Sequence, residues 1–280
     1  MTVISSLTPN QIAGLSTTAI QGLSTTDIQS LNTSQVAALT ATQVNVLNTT
    51  DIQAFFTTQV AALSPIIISA LLTLQIQNFT NTQVSALTAT QVSKLTAAEV
   101  GALTSTELQN LSTTQLGALT ATQIGSLSNA VIDNLTTTQI GNLTTTQVQG
   151  LTTTQLNGIG TTNLDALLAS KLSTTQVGGL TTPTFGKLTA TQVSTLTAAE
   201  IARLSSGQID QLTSTELQNL STTQAGALTA TQIGTLSTTV LNNLSTTQIA
   251  ALTTTQVQGL TTTSSTASAP PALMRSSPPS

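Results

Sequence analysis

Cysteine, histidine, tryptophan and tyrosine are all missing from this 280-residue chain. Without cysteine there is no disulfide and no thiolate metal site, and the redox compartment is left open. Losing His, Cys and Tyr together removes the commonest general bases, nucleophiles and metal ligands. Charge is scarce as well: 5% of residues are charged, with five bases, nine acids and a net charge of -4. No basic patch exists, so nucleic acid has no electrostatic footprint here. No polybasic or basic amphipathic segment points to a membrane surface. The most apolar stretch, Val60 to Ile76, is interrupted by Ser64, Pro65, Ser69, Thr73 and Gln75 and is too short to span a bilayer. The first residues, Met1 to Leu7, lack the basic and apolar regions of a secretory signal peptide.

What remains is repetition. Leucine recurs at every eighth position, as Leu7, Leu15, Leu23, Leu31, Leu39 and Leu47, with Phe55 and Phe79 standing in, and the series holds to Leu151. Three residues before each lies Val, Ile or Leu, as in Ile12, Ile20, Ile28, Val36, Val44 and Ile52. The unit runs Ser/Thr at position one, Gln or an acid at position four, Val/Ile/Leu at position five and Leu at position eight. About thirty copies fill most of the chain, and a short strict repeat implies a quasi-one-dimensional stack.

Each octad reads as a short capped helix. In Leu39 to Leu47, Thr40 and Gln43 form a capping box, while Leu39 and Val44 occupy the two positions of a hydrophobic staple. Asp27, Glu99 and Glu107 replace Gln at the same N3 site, where a helix N-terminus favours negative charge. Pro9 and Pro65 fall at N1, where a missing N–H costs nothing, and Pro183 falls one place later. Position seven is often Gly, Asn or Ala, which suggests a left-handed or tight helix end. The expected fold is all-α, a solenoid of short capped helices, one per eight residues. A β-solenoid is the alternative, because Thr-x-Thr-x-Val alternates with period two. It puts the recurrent Leu on the wrong parity and leaves the Gln offset unexplained.

The expected organisation is a first array over 1–167, a register-shift joint over 168–172, a second array over 173–260 and a disordered Ser/Pro-rich tail over 261–280. In the second array the Leu series is Leu172, Leu180, Leu188, Leu196 and onward to Leu260, and Gly160 is the expected bend before it. A longer repeat overlies the short one. The segment 87–93 recurs at 188–194, and 104–115 recurs at 213–224. The offset grows from 101 to 109, one inserted octad, so length changes in whole octads.

No catalytic, cofactor-binding or metal-binding residue is assigned. The acids Asp27, Asp51, Glu99, Glu107, Asp133, Asp165, Glu200, Asp210 and Glu216 read as solvated capping residues. Asn-x-Ser/Thr sequons, such as Asn110 and Asn142, arise from the repeat pattern itself. The Ile66-Ile67-Ile68 run reads as locally thicker core, with a partner or aggregation patch as the other reading.

Units such as Leu143–Leu151 and Leu252–Leu260, Leu-Thr-Thr-Thr-Gln-Val-Gln-Gly-Leu, resemble those of repetitive proteobacterial surface proteins of the haem-utilisation/adhesion, haemagglutinin-like type. The resemblance implies a secreted or surface-exposed protein. It does not carry over a haem site, since the usual axial ligands are missing. The expected function is non-enzymatic: an extracellular spacer, adhesin stalk or self-assembling filament subunit. The alternative is a binding module whose Thr/Gln/Asn-rich face meets glycan, ice or protein. Self-association is the expected partnership, with no cofactor, no nucleic acid and no transmembrane segment. Export would use a route other than an N-terminal signal peptide, and a cytoplasmic location stays open.

Overall fold

The computed structural model describes residues 3–267 and is helical, with no strand among those residues. The β-solenoid alternative is therefore not supported. Thirty-one α-helices follow one another, all but the last of four to six residues, and each of these short ones lies within one octad. The repeat explains the brevity. In the Ala41–Val44 helix, Val44 N–H donates to Thr40 C=O at 3.0 Å, and Leu47 N–H donates to Val44 C=O at 3.1 Å. One α-turn is closed and then tightened by an i→i−3 bond. Successive helices are joined through extended backbone at positions eight and one: Leu103 has φ -66°, ψ 141° and Thr104 has φ -73°, ψ 160°.

The helix ends correct one expectation. No described residue, glycine included, has a positive φ. The small residue at position seven does not turn left-handed. Ala118, for example, stays right-handed at φ -81°, ψ -13°, and the extended Leu after it carries the chain away. A left-handed cap would serve to satisfy the last carbonyls of the helix. Here the two extended link residues make the turn.

Positions five and eight form the core. Val44, Val60, Val92, Ile124 and Val148 are fully buried, and their Leu partners Leu47, Leu63, Leu95, Leu127 and Leu151 are nearly so. The Ile66-Ile67-Ile68 run divides in the same way: Ile67 and Ile68 are core, and Ile66 is 77% exposed.

By contacts the chain falls into two compact units, Met1–Lys171 and Leu172–Ser280. Within each, a helix packs on those three octads before and after it, as Ala121–Gly125 does on Thr145–Gly150, or Ala190–Ser194 on Ser214–Asn219. Gly160, the expected bend, is an ordinary extended N-cap at φ -68°, ψ 156°. The register changes at a 3-10 turn, Ala169–Lys171, where five residues separate Leu167 from Leu172 instead of eight. The final helix, Thr254–Ala267, runs past the end of the octad pattern. Residues 268–280 of the Ser/Pro-rich tail lie outside the described residues.

The capping threonine supports a direct test. Thr120 Oγ1 accepts the Gln123 N–H at 3.2 Å. Replacing Thr120 with Ala should cost about 1 kcal/mol in denaturant unfolding, the usual loss for an N-cap.

Candidate functional site

The most distinctive chemistry lies at position four. Gln43 accepts the N–H of its own N-cap residue, Thr40, on Oε1 at 2.8 Å. The Thr40 hydroxyl accepts the Gln43 N–H in return at 3.3 Å. This is the predicted capping box, and it recurs along both units, as at Gln91, Gln139 and Gln232. The other end of the same side chain does a second job. Gln43 Nε2 donates to Ile12 C=O at 2.8 Å and to Leu15 C=O at 2.9 Å, in the octad four repeats earlier.

The second bond pair repeats with the same spacing. Gln91 donates to Val60 and Leu63, Gln147 to Leu116 and Leu119, Gln208 to Val177 and Leu180, and Gln248 to Leu217 and Leu220. The acceptors lie at the C-terminal end of a short helix, where the position-five carbonyl also takes an i→i−3 backbone bond. One amide thus closes the N-terminus of its own helix and the C-terminus of another. Stacking uses octads three and four repeats away together, so a turn of each solenoid takes between three and four octads. These glutamines are buried: Gln35 is 0% exposed and Gln91 1%. Burial is tolerated because both amide atoms are bonded.

Two substitutions at position four keep the donor. Asn163 is short, yet its Nδ2 donates to Asp133 C=O at 2.7 Å and Leu135 C=O at 3.1 Å. Lys171, in the shortened repeat, donates from Nζ to Gly141 C=O at 3.2 Å and Leu143 C=O at 2.5 Å. These are the carbonyls that a glutamine amide would have reached.

The acids are not uniformly solvated, as the sequence suggested. Asp51, Glu99, Glu107 and Glu200 are buried at position four and cap their own helices, Glu99 accepting the Thr96 N–H at 2.5 Å. A carboxylate has no N–H, so it keeps the cap and drops the bond to the neighbouring turn. Asp133 and Asp210 lie at position six and do something else. Asp133 Oδ1 accepts the Gly160 N–H at 2.5 Å, and Asp210 Oδ1 accepts the Ser237 N–H at 3.5 Å, each 27 residues on. Both recipient octads lack their own box, having Asn163 and Val240 at N3. The cap is supplied from the preceding turn instead. Asp165 is exposed.

No group of His, Cys, Asp or Glu able to hold a metal forms among the described residues. Nor is any described helix long and apolar enough to cross a membrane. One open surface depression is lined by Ala97, Ala121, Thr122, Gly125, Ser126 and Gly150. Another lies 109 residues on, against Ala230, Gly234 and Gly259. Both exist because helices approach closely there. A β-carbon on Gly150 would fall 2.4 Å from the Ala121 carbonyl oxygen, and one on Gly259 would fall 2.5 Å from that of Ala230. Gly117 has nothing within 4 Å. Accordingly, Gly150→Ala should cost about 1–3 kcal/mol through overpacking against backbone. Gly117→Ala, inside a helix, should stabilise by up to about 1 kcal/mol. Urea midpoints of the two variants give the comparison.

Fold and ladder together define a repeat protein with a helical, solenoid-like structure. A family model described as the ALTTAQ repeat matches residues 4–41 and 234–262. No curated protein matches the chain. The family match speaks for the repeat and not for the haem-utilisation or adhesion type.

Proposed function

We propose that this chain is a non-enzymatic structural repeat protein that works outside the cell or on its surface, as a spacer, adhesin stalk or self-assembling filament subunit. The observation that carries this reading is how the buried polar side chains are used. Position-four glutamines are bonded at both ends into the solenoid, and acids such as Glu99, Asp133 and Asp210 are tied to helix N-termini. The duplicated segment, which has grown by one whole octad, supports a role that scales with length. Light scattering and electron microscopy of the full chain test the filament form. Concentration-dependent association into elongated particles is expected, and a compact monomer at every concentration would refute it. Protease shaving of intact source cells tests the location: loss of the protein places it at the surface, and full protection rejects that.

A second reading rests on the N2 threonines. Thr42, Thr90, Thr122 and Thr146 are exposed and take no part in the caps. They present hydroxyls for binding a glycan or ice. Glycan arrays and thermal-hysteresis assays on the full chain should then give signal, and silence in both would leave the structural role alone.

A further inference from the structure

The glutamine ladder is interrupted three times in succession along one column of the first unit. Residues 35, 67, 99, 131 and 163 lie at position four of every fourth octad. Gln35 at one end donates to Ile4 and Leu7, and Asn163 at the other donates to Asp133 and Leu135. Between them stand Ile67, Glu99 and Val131, none of which has a side-chain N–H. The carbonyls that they would serve are those of Val36 and Leu39, Ile68 and Leu71, and Val100 and Leu103. None receives a side-chain donor. The helices Pro65–Ile68 and Ala97–Ala102 therefore lack the position-four bridge in both directions, and the side-chain bonds from neighbouring turns that remain are Asn45 Nδ2 to Ala70 C=O and Ser126 Oγ to Ala97 C=O, both at 2.9 Å.

The column one octad earlier is intact from Gln59 to Gln155. Gln59 reaches Ile28 and Leu31, Gln91 reaches Val60 and Leu63, Gln123 reaches Leu95, and Gln155 reaches Ile124 and Leu127. Two further weaknesses fall on the broken column. The Pro65–Ile68 helix has a side-chain cap from Ser64 but no box, and its closing bond, Leu71 N–H to Ile68 C=O, is 3.4 Å long. Packing across three octads persists, since Ala97–Ala102 still meets Thr73–Gln77 and Ala121–Gly125. The column is thus a weak line rather than a gap.

We infer that the first unit opens locally along this seam before its neighbouring column, with the helices Pro65–Ile68 and Ala97–Ala102 parting first. In a solenoid, stability is close to a sum of repeat and neighbour terms, so a missing neighbour term is felt where it is missing. Glu99 is the point of control: it holds its own cap and withholds the bridge.

Native-state hydrogen exchange on the full chain, read by mass spectrometry, tests this. Amides in 64–71 and 96–103 should exchange about tenfold faster than those in 56–63 and 88–95, the ratio expected for two missing net hydrogen bonds. Glu99→Gln, which restores the donor, should slow both seam segments by about fivefold to tenfold. Gln91→Glu, which removes a donor from the intact column, should speed 56–63 and 88–95 by a similar factor. Equal protection in the two columns would overturn the inference. So would a fast seam that Glu99→Gln leaves unchanged.

Discussion

Ile124→Pro should unfold the octads around it, while Thr113→Pro in the octad before should be nearly silent. Ile124 is fully buried, and its N–H donates to Thr120 C=O at 3.0 Å, the bond that closes the first α-turn of its octad. Proline removes that donor and drives its ring into the carbonyl four residues back, at about 3 kcal/mol or more. Losing the buried isoleucine side chain adds roughly 2–5 kcal/mol. An octad has no complete second turn to absorb the damage, and the octads three and four repeats away lose a stacking partner. Thr113 is an exposed N1 residue whose N–H takes no helix bond, and Ser112 before it is already extended at φ -62°, ψ 159°. Proline is favoured at such a site. Ala121 is the same position by pattern, but Gly150 lies hard against its backbone, so Thr113 is the cleaner control. Far-UV circular dichroism with urea titration reads both variants. Equal damage from the two would sink the capped-octad account.

The contrast shows how much of the fold was legible. Proline at N1, Ser/Thr at position one and Gln three residues later are local signals, and local geometry alone settles what they mean. The capping box at Thr120 and Gln123 and the burial of Leu119 and Ile124 followed from that. The bond from Gln43 back to Ile12 joins residues 31 apart, and no window of one repeat contains it. One signal did point to it. A helix N-terminus by itself favours an acid over an amide, yet position four is predominantly Gln. Two of the residues that replace it, Asn163 and Lys171, are also donors, while the acids and apolar residues that replace it elsewhere are not. That preference is intelligible only if something outside the helix needs an N–H. Of the left-handed and tight helix ends that position seven suggests, the left-handed one is excluded among the described residues. Gly at position seven suggested a backbone need, whereas at Gly150 the need is space for a neighbouring turn. The burial of Glu99 likewise depends on the turn stacked above it, which nothing in its own octad announces.

The ladder itself yields the last expected result. Gln147 is 2% exposed, accepts the Thr144 N–H at 2.9 Å, and donates to Leu116 C=O at 2.8 Å and Leu119 C=O at 2.9 Å. Gln147→Leu fills much of the same volume but abandons both ends. It leaves the buried Leu119 carbonyl and the part-buried Thr144 N–H without these partners, at about 1–3 kcal/mol for each group that water does not reach. A total loss of roughly 3–5 kcal/mol is expected, comparable to deleting a core leucine. Gln147→Glu separates the two roles, because the carboxylate keeps the cap at Thr144 and loses the bridge to Leu116 and Leu119. Its hydrogen exchange should therefore rise in 112–119, four octads back, more than in its own first turn. The leucine variant should raise exchange in both places. If Gln147→Leu cost no more than an exposed substitution such as Thr146→Ala, the amide ladder would be a by-product of stacking and not a cause of it. The capped helices would then have to be held together by positions five and eight alone.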